Sequence, residues 1–87
     1  MKIKIAIAED NSFLLKVILE KLSFFEDLDV KFHGNNGIEL LEKLEGDANV
    51  HLVLMDIEMP KMNGIEAVGI LSKKHPQIKT IMLTVLD

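Results

Sequence analysis

The apolar residues of this chain recur at two different spacings that alternate along the sequence. Alternation with period two, or an unbroken apolar run, predicts strands over residues 2–8, 28–33, 51–56 and 78–84. Apolar residues three and four positions apart predict helices over residues 13–22, 38–44 and 65–74. The order βαβαβαβ predicts right-handed crossovers and a parallel sheet with helices on both faces. The expected fold class is therefore α/β, with a doubly wound sheet.

Residues that favour turns and caps separate these segments. Asn11 or Ser12 is suited to cap the first helix, and Pro76 ends the third. The run from Gly34 to Gly37 has the composition of a turn and lacks a phosphate-binding glycine pattern. Gly46 is expected to end the second helix.

Composition narrows the class of protein. A chain of 87 residues, 48% hydrophobic and 28% charged, is suited to one globular unit. The net charge of -4 offers no basic stripe, so direct binding of nucleic acid by this segment is not expected. No apolar run approaches the roughly 20 residues that cross a bilayer, and no cysteine is present. We expect a cytoplasmic chain without a membrane partner.

The sequence ends at Asp87, directly after the fourth predicted strand. Ile81, Met82 and Leu83 are then expected on an apolar strand edge of the kind that pairs with another chain. We interpret residues 1–87 as part of a larger domain. A homodimer or a domain-swapped assembly through the open fourth-strand edge is the expected oligomer.

Acidic residues follow two of the predicted strands. Glu9 and Asp10 end the first strand, and Asp56 ends the third. In a doubly wound sheet the ligand site lies beyond the carboxyl ends of the strands, where the strand order reverses, so these carboxylates should converge. Unpaired, they would raise one another's pKa values, which indicates a neutralising cation. Oxygen-only ligation by few protein groups points to Mg²⁺.

An ionised carboxylate can also be a nucleophile that forms an acyl phosphate when a metal offsets the charge of the transferring group. Asp56 is the best placed candidate for this chemistry. Thr84, near the end of the neighbouring strand, can direct its hydroxyl at the same spot.

Glu9-Asp10, the segment DIEMPKMNG at 56–64 and Thr84 in LTVLD together resemble the receiver domains of two-component response regulators. The resemblance implies a flavodoxin-like sheet of strand order 2-1-3-4, with 1–87 a partial receiver domain. The family's final strand, which carries a lysine that pairs with the phosphoryl group, and its last two helices have no counterpart here. The implied site consists of the phospho-acceptor Asp56, the switch hydroxyl of Thr84, and Mg²⁺ ligands at Glu9, Asp10, Asp56 and the Glu58 backbone carbonyl.

The same resemblance implies a signalling role and no enzymatic turnover. The intact domain would accept a phosphoryl group from the phosphohistidine of a sensor histidine kinase and repack around Thr84 to change an output. The LTVLD ending is similar to receivers attached to helix-turn-helix DNA-binding domains, which implies that the output is transcription.

Three alternatives remain at this point. The apolar strand ending in Asp56 also resembles Mg²⁺-dependent phosphatases of the haloacid dehalogenase type, although DIE departs from their DxD pattern. A second alternative is an interaction or dimerisation module that works without phosphorylation. A flavin binder shares the topology, but the acids would repel a flavin phosphate.

His33, His51 and His75 are widely separated and are interpreted as structural.

Overall fold

The structure, a computed structural model, describes residues 2–83, and within them strands and helices alternate from end to end. The strands are β1 (Ile3–Ala8), β2 (Leu28–Gly34), β3 (Leu52–Asp56) and β4 (Lys79–Leu83). The helices are α1 (Ser12–Leu22), α2 (Gly37–Gly46) and α3 (Gly64–Lys74). The predicted segments agree with these bounds to within two residues, and Thr84, the last residue of the fourth predicted strand, lies outside the described range.

The four strands form one sheet in the order β2-β1-β3-β4, and each neighbouring pair is parallel. This order confirms the doubly wound α/β fold. The chain moves outward from β1 to β2 and then crosses back to β3, so the order reverses between β1 and β3. The carboxyl ends of these two strands therefore flank the crevice where such folds bind ligands.

The two faces of β1 contact different layers. Ile5 and Ile7 pack with Leu15 of α1 on one side of the sheet. Ala6 and Ala8 point to the other side, into the larger core cluster. Small residues on that side let the helices approach a central strand closely. That cluster also contains buried residues of α2, β3 and α3 and of the loops that precede β3 and β4: Leu40, Leu44, Val50, Val53, Met55, Ala67, Leu71 and Ile78.

Each helix begins at an asparagine cap. The side-chain oxygens of Asn11, Asn36 and Asn63 accept backbone N–H groups of their own first turns, at 3.0, 2.9 and 2.9 Å. The sequence left the first cap open between Asn11 and Ser12, and the structure places it at Asn11. All three caps lie at the carboxyl edge of the sheet. Local hydrogen bonds therefore help to fix the backbone at this edge, in addition to the packing of the helices on the sheet.

β4 is an edge strand among the described residues, since it pairs only with β3. Ile81 is paired in register with Leu54 and is 48% exposed. The side chains of Leu54 and Ile81 lie on the side of the sheet that α1 covers only in part. Within residues 2–83, no helix is long and apolar enough to cross a membrane.

Candidate functional site

The three acidic residues singled out in the sequence meet at the carboxyl edge of β1 and β3. One carboxylate oxygen from each of Glu9, Asp10 and Asp56 lies within 4.8 Å of the others. The register explains the meeting, because Ala8 is paired with Met55 and the next residue of each strand carries an acid. The predicted convergence is therefore present in the structure.

Glu9 and Asp10 are neighbours in sequence but differ in environment. Glu9 is 2% exposed, whereas Asp10 is exposed and Asp56 is half-buried. Oε2 of Glu9 accepts the backbone N–H of Asn11 at 3.1 Å. Oε1 of Glu9 is buried and has no hydrogen-bond partner among the described residues.

Burial raises the pKa of Glu9 from 4.5 to about 6. The Asn11 N–H opposes this rise, and the negative charges of Asp56 and Asp10 add to it. The ionised form of Glu9 is thus disfavoured in the chain alone. A nearby cation would offset that penalty, because its positive charge favours the ionised carboxylate.

The site fits a hard divalent cation. Its donors are all carboxylate oxygens, which suit Mg²⁺ and not the softer metals that prefer sulfur or imidazole. The unpartnered Oε1 of Glu9 is an oxygen whose desolvation a cation would offset. No other cluster of possible metal ligands is found within residues 2–83.

The loop that follows Asp56, residues 57–63, is called here the site loop. Gly64 closes it, since the Gly64 N–H donates to the Ile57 carbonyl oxygen at 2.9 Å. A Cβ on Gly64 would lie 2.2 Å from the Asp56 carbonyl oxygen. No side chain is accommodated there, so a glycine holds α3 directly against the strand end that carries Asp56.

The middle of the site loop has a strained turn. Lys61 has φ 66°, and the Met62 N–H donates to the Pro60 carbonyl oxygen at 2.7 Å. A bond between residues two apart with positive φ at the centre is a γ-turn, a conformation that is rare and strained. The side chain of Lys61 is exposed, as expected from its position in a loop.

The site loop is also bonded to the start of α2. The Gly37 N–H donates to the Met62 carbonyl oxygen at 3.1 Å. Sequence reasoning interpreted Gly37 only as part of a turn, and no local pattern connects it with a residue 25 positions further on. Only the packing of α2 beside α3 reveals the contact.

The remaining predicted site residues are placed as follows. Glu58 lies in the site loop with an exposed side chain, two residues beyond Asp56. Thr84 lies outside the described residues. His51 is structural, because its Nδ1 accepts the Lys4 backbone N–H at 2.9 Å at the opposite edge of the sheet. His33, His51 and His75 take no part in the acidic cluster.

Comparison with known proteins agrees with this fold. The model of the response regulator receiver domain family matches residues 5–87. The chain therefore belongs to the response regulator receiver domain family, a family of signalling domains in two-component systems. This finding confirms the resemblance noted in the sequence.

The curated relatives include transcriptional regulators. The chain is 37% identical over 89 residues to the transcriptional regulatory protein DegU of Brevibacillus brevis, covering 99% of this chain and 36% of that protein. It spans about a quarter to two-fifths of the length of the curated relatives it matches.

Solved structures of receiver domains superpose closely. The response regulator domain of Thermotoga maritima CheB has a TM-score of 0.86 at 30% identity, with 94% of this chain and 60% of that chain covered. A chain of the CheX-CheY-BeF3-Mg+2 complex from Borrelia burgdorferi has a TM-score of 0.89 at 25% identity, with 97% and 63% covered.

Proposed function

We propose that this chain is a phospho-accepting receiver module that takes a phosphoryl group on Asp56 from a sensor histidine kinase. The observation that carries the proposal is the convergence of Asp56 with Glu9 and Asp10 at the strand crossover. Three carboxylates at one point repel each other, which costs free energy. Such a cost is expected at a functional site that binds a cation and a charged group.

Asp56 is the nucleophile in this proposal. One of its carboxylate oxygens attacks the phosphorus of the phosphohistidine, an O–P bond forms, and the N–P bond breaks. The electron pair of that bond returns to the imidazole nitrogen of the kinase. Glu9, Asp10, Asp56 and the Glu58 backbone carbonyl would hold Mg²⁺. When bound, Mg²⁺ supplies positive charge that offsets the charge of the transferring phosphoryl group.

Two observations support this assignment of ligands. The buried Oε1 of Glu9 has no donor within residues 2–83, and the donor set is oxygen only. A relative of 25% identity has been crystallised in a complex that contains BeF3 and Mg+2. Glu58 follows Asp56 in a loop fixed at Gly64, which keeps the Glu58 backbone close to the acceptor.

Thr84 is proposed as the switch hydroxyl, and the output as transcription in the cytoplasm. The hydroxyl would donate a hydrogen bond to a phosphoryl oxygen on Asp56 and so favour one of two conformations. The transcriptional output is supported by relatives such as DegU and VraR. In this account Thr84→Ala leaves phosphorylation intact and removes the conformational response.

The test is intact mass after incubation with Mg²⁺ and acetyl phosphate. Wild type should gain a single phosphoryl group, and Asp56→Asn should gain none. Asp29→Asn, a change of the same kind at the far end of β2, serves as the control and should be labelled like wild type. Absence of an adduct on wild type contradicts the proposal. Sustained multiple turnover of an aryl phosphate would instead favour the phosphatase alternative.

A second candidate function is an interaction module that works through β4 without phosphorylation. It is favoured by the outer edge of β4, which pairs with no strand among the described residues, and by the exposed Ile81. Particle mass in solution with and without acetyl phosphate separates the two. A dimer that ignores the donor supports this candidate.

A further inference from the structure

Gly37 is a buried residue that begins α2, at some distance along the chain from the acidic residues. None of the glycines within residues 2–83 has positive φ, so backbone conformation does not require glycine at this position. The reason must be space. A Cβ on Gly37 would lie 2.9 Å from Met62 Cγ, 3.0 Å from the Met62 carbonyl oxygen and 3.0 Å from Ala67 Cβ.

These contacts connect α2 to the site loop. The Gly37 N–H bonds to the same Met62 carbonyl oxygen that a Cβ would approach. Met62 directly follows Lys61 and its γ-turn. The site loop is therefore fixed at two points, by the bond of Gly64 to Ile57 beside the strand end and by the bond of Gly37 to Met62.

We infer that Gly37 is a positioning residue for the acidic site, acting through Met62 and the site loop. The inference deepens the proposed function, because the loop carries the Glu58 carbonyl that is proposed as a Mg²⁺ ligand. A methyl group at residue 37 displaces Met62, and the displacement reaches Glu58 through the short, strained loop. Changes in groups that orient metal ligands commonly weaken metal binding by about 10- to 100-fold.

The experiment compares Mg²⁺ dissociation constants by titration calorimetry. Gly37→Ala should raise the dissociation constant about tenfold over wild type. Gly69→Ala is the matched control, because a Cβ there meets nothing within 4 Å, and it should bind like wild type. Ile5→Val removes a buried methyl group from the core cluster on the α1 side of the sheet, which includes no residue of the site loop, and should lower thermal stability without changing Mg²⁺ affinity.

A metal-free readout accompanies the titration. The backbone amide shifts of residues 57–63 should move in Gly37→Ala and stay in place in Gly69→Ala. A Gly37→Ala chain that is destabilised but keeps wild-type Mg²⁺ affinity and wild-type loop shifts would overturn the inference. Gly37 would then serve only the packing of α2 against α3.

A second variant covers the case in which Gly37→Ala does not fold. Gly37→Ala with Met62→Ala removes the 2.9 Å contact. The two 3.0 Å contacts, to the carbonyl oxygen of residue 62 and to Ala67 Cβ, remain in this variant. Its Mg²⁺ affinity should therefore lie between that of Met62→Ala alone and the tenfold loss. Failure of the proposed function looks different, since wild type would then take no phosphoryl group. Should wild type bind no Mg²⁺ either, the metal-free shifts still decide the role of Gly37.

Discussion

Glu9 and Asp10 illustrate how one position along a strand changes the chemistry of the same functional group. Both follow β1, but Glu9 points into the protein and Asp10 points to solvent. Burial makes Glu9 the acid that resists ionisation, with a pKa of about 6. Ionisation of Glu9 therefore has the largest free-energy cost in the metal-free chain, and Glu9 is the acid that a bound cation would stabilise most.

Glu9 should make the metal-free chain less stable as pH rises from about 4.5 to 6. Over this range the folded state keeps a proton that the unfolded state has lost, so the free energy of unfolding falls, by about 2 kcal/mol in total. We expect Glu9→Gln to remove most of this slope and to be more stable than wild type at pH 7 to 8. Urea unfolding across this range measures the effect, with the exposed Glu20→Gln as the control. An unchanged slope would contradict the assignment.

Mg²⁺ should stabilise the chain, and more so at pH 8 than at pH 5. At pH 5 the cation must displace a proton from Glu9, whereas at pH 8 the carboxylate is already ionised. A concentration 100-fold above the dissociation constant should add about 2.7 kcal/mol to the free energy of unfolding. Thermal melts with Mg²⁺, and with a chelator to reverse the shift, give the comparison. Equal shifts at both pH values would exclude Glu9 as a ligand.

At the scale of the elements, the three asparagine caps are sequence features that position the loops around the acidic site. The acidic residues occupy strand ends, and the three helices must start at the same edge for the crossovers to close. A cap at each helix start fixes where the loop ends and the helix begins. The caps therefore limit the freedom of the loops that surround the acids.

Replacing one of these caps should destabilise the fold measurably. Asn36 is buried and its Oδ1 accepts the Glu39 N–H, so Asn36→Ala should lower the free energy of unfolding by about 1 kcal/mol. Asn35 is the matched control, because it is exposed and its side chain makes no hydrogen bond within the described range. Denaturant midpoints compare the two variants. Equal midpoints would show that the cap contributes nothing.

Much of this fold could be predicted from periodicity, because strand and helix repeats differ and parallel crossovers leave few topologies. The three acids could be placed together for the same reason. The burial of Glu9 could not be predicted, because the sequence shows Glu9 and Asp10 as two equivalent acids after a strand. The bond between Gly37 and Met62 depends on how α2 and α3 pack, and no local pattern encodes it. The break in register between Ile5 and Ala6 against β2 was likewise not predicted.

At the scale of the whole molecule, the proposed association runs through the edge formed by β4. Its outer backbone groups pair with no strand in the part of the chain that the structure describes. The exposed Ile81 adds an apolar contact point. Charged side chains and short strands usually protect such edges, and β4 offers only Lys79 at its start.

If the chain dimerises through β4, Ile81→Lys should abolish the dimer and leave the monomer folded. The substituted side chain is already half-exposed, so its cost to the monomer is small, whereas a charge added to each edge opposes the pairing of two copies. Sedimentation or light scattering over a concentration series gives the mass. Ile65→Lys is the control, since Ile65 is exposed on α3 at a distance from β4 along the chain. A monomeric wild type would refute this association.

Because the three helices all begin at the same edge of the sheet, they also affect the electrostatic potential at that edge. Each helix carries a partial positive charge at its amino end, and Asn11, Asn36 and Asn63 set these ends at the same edge of the sheet as the acids. The peptide dipoles of α1, α2 and α3 thus contribute a field of fixed sign there. A dianionic group attached at Asp56 would enter a region that the backbone itself has already made more favourable to negative charge.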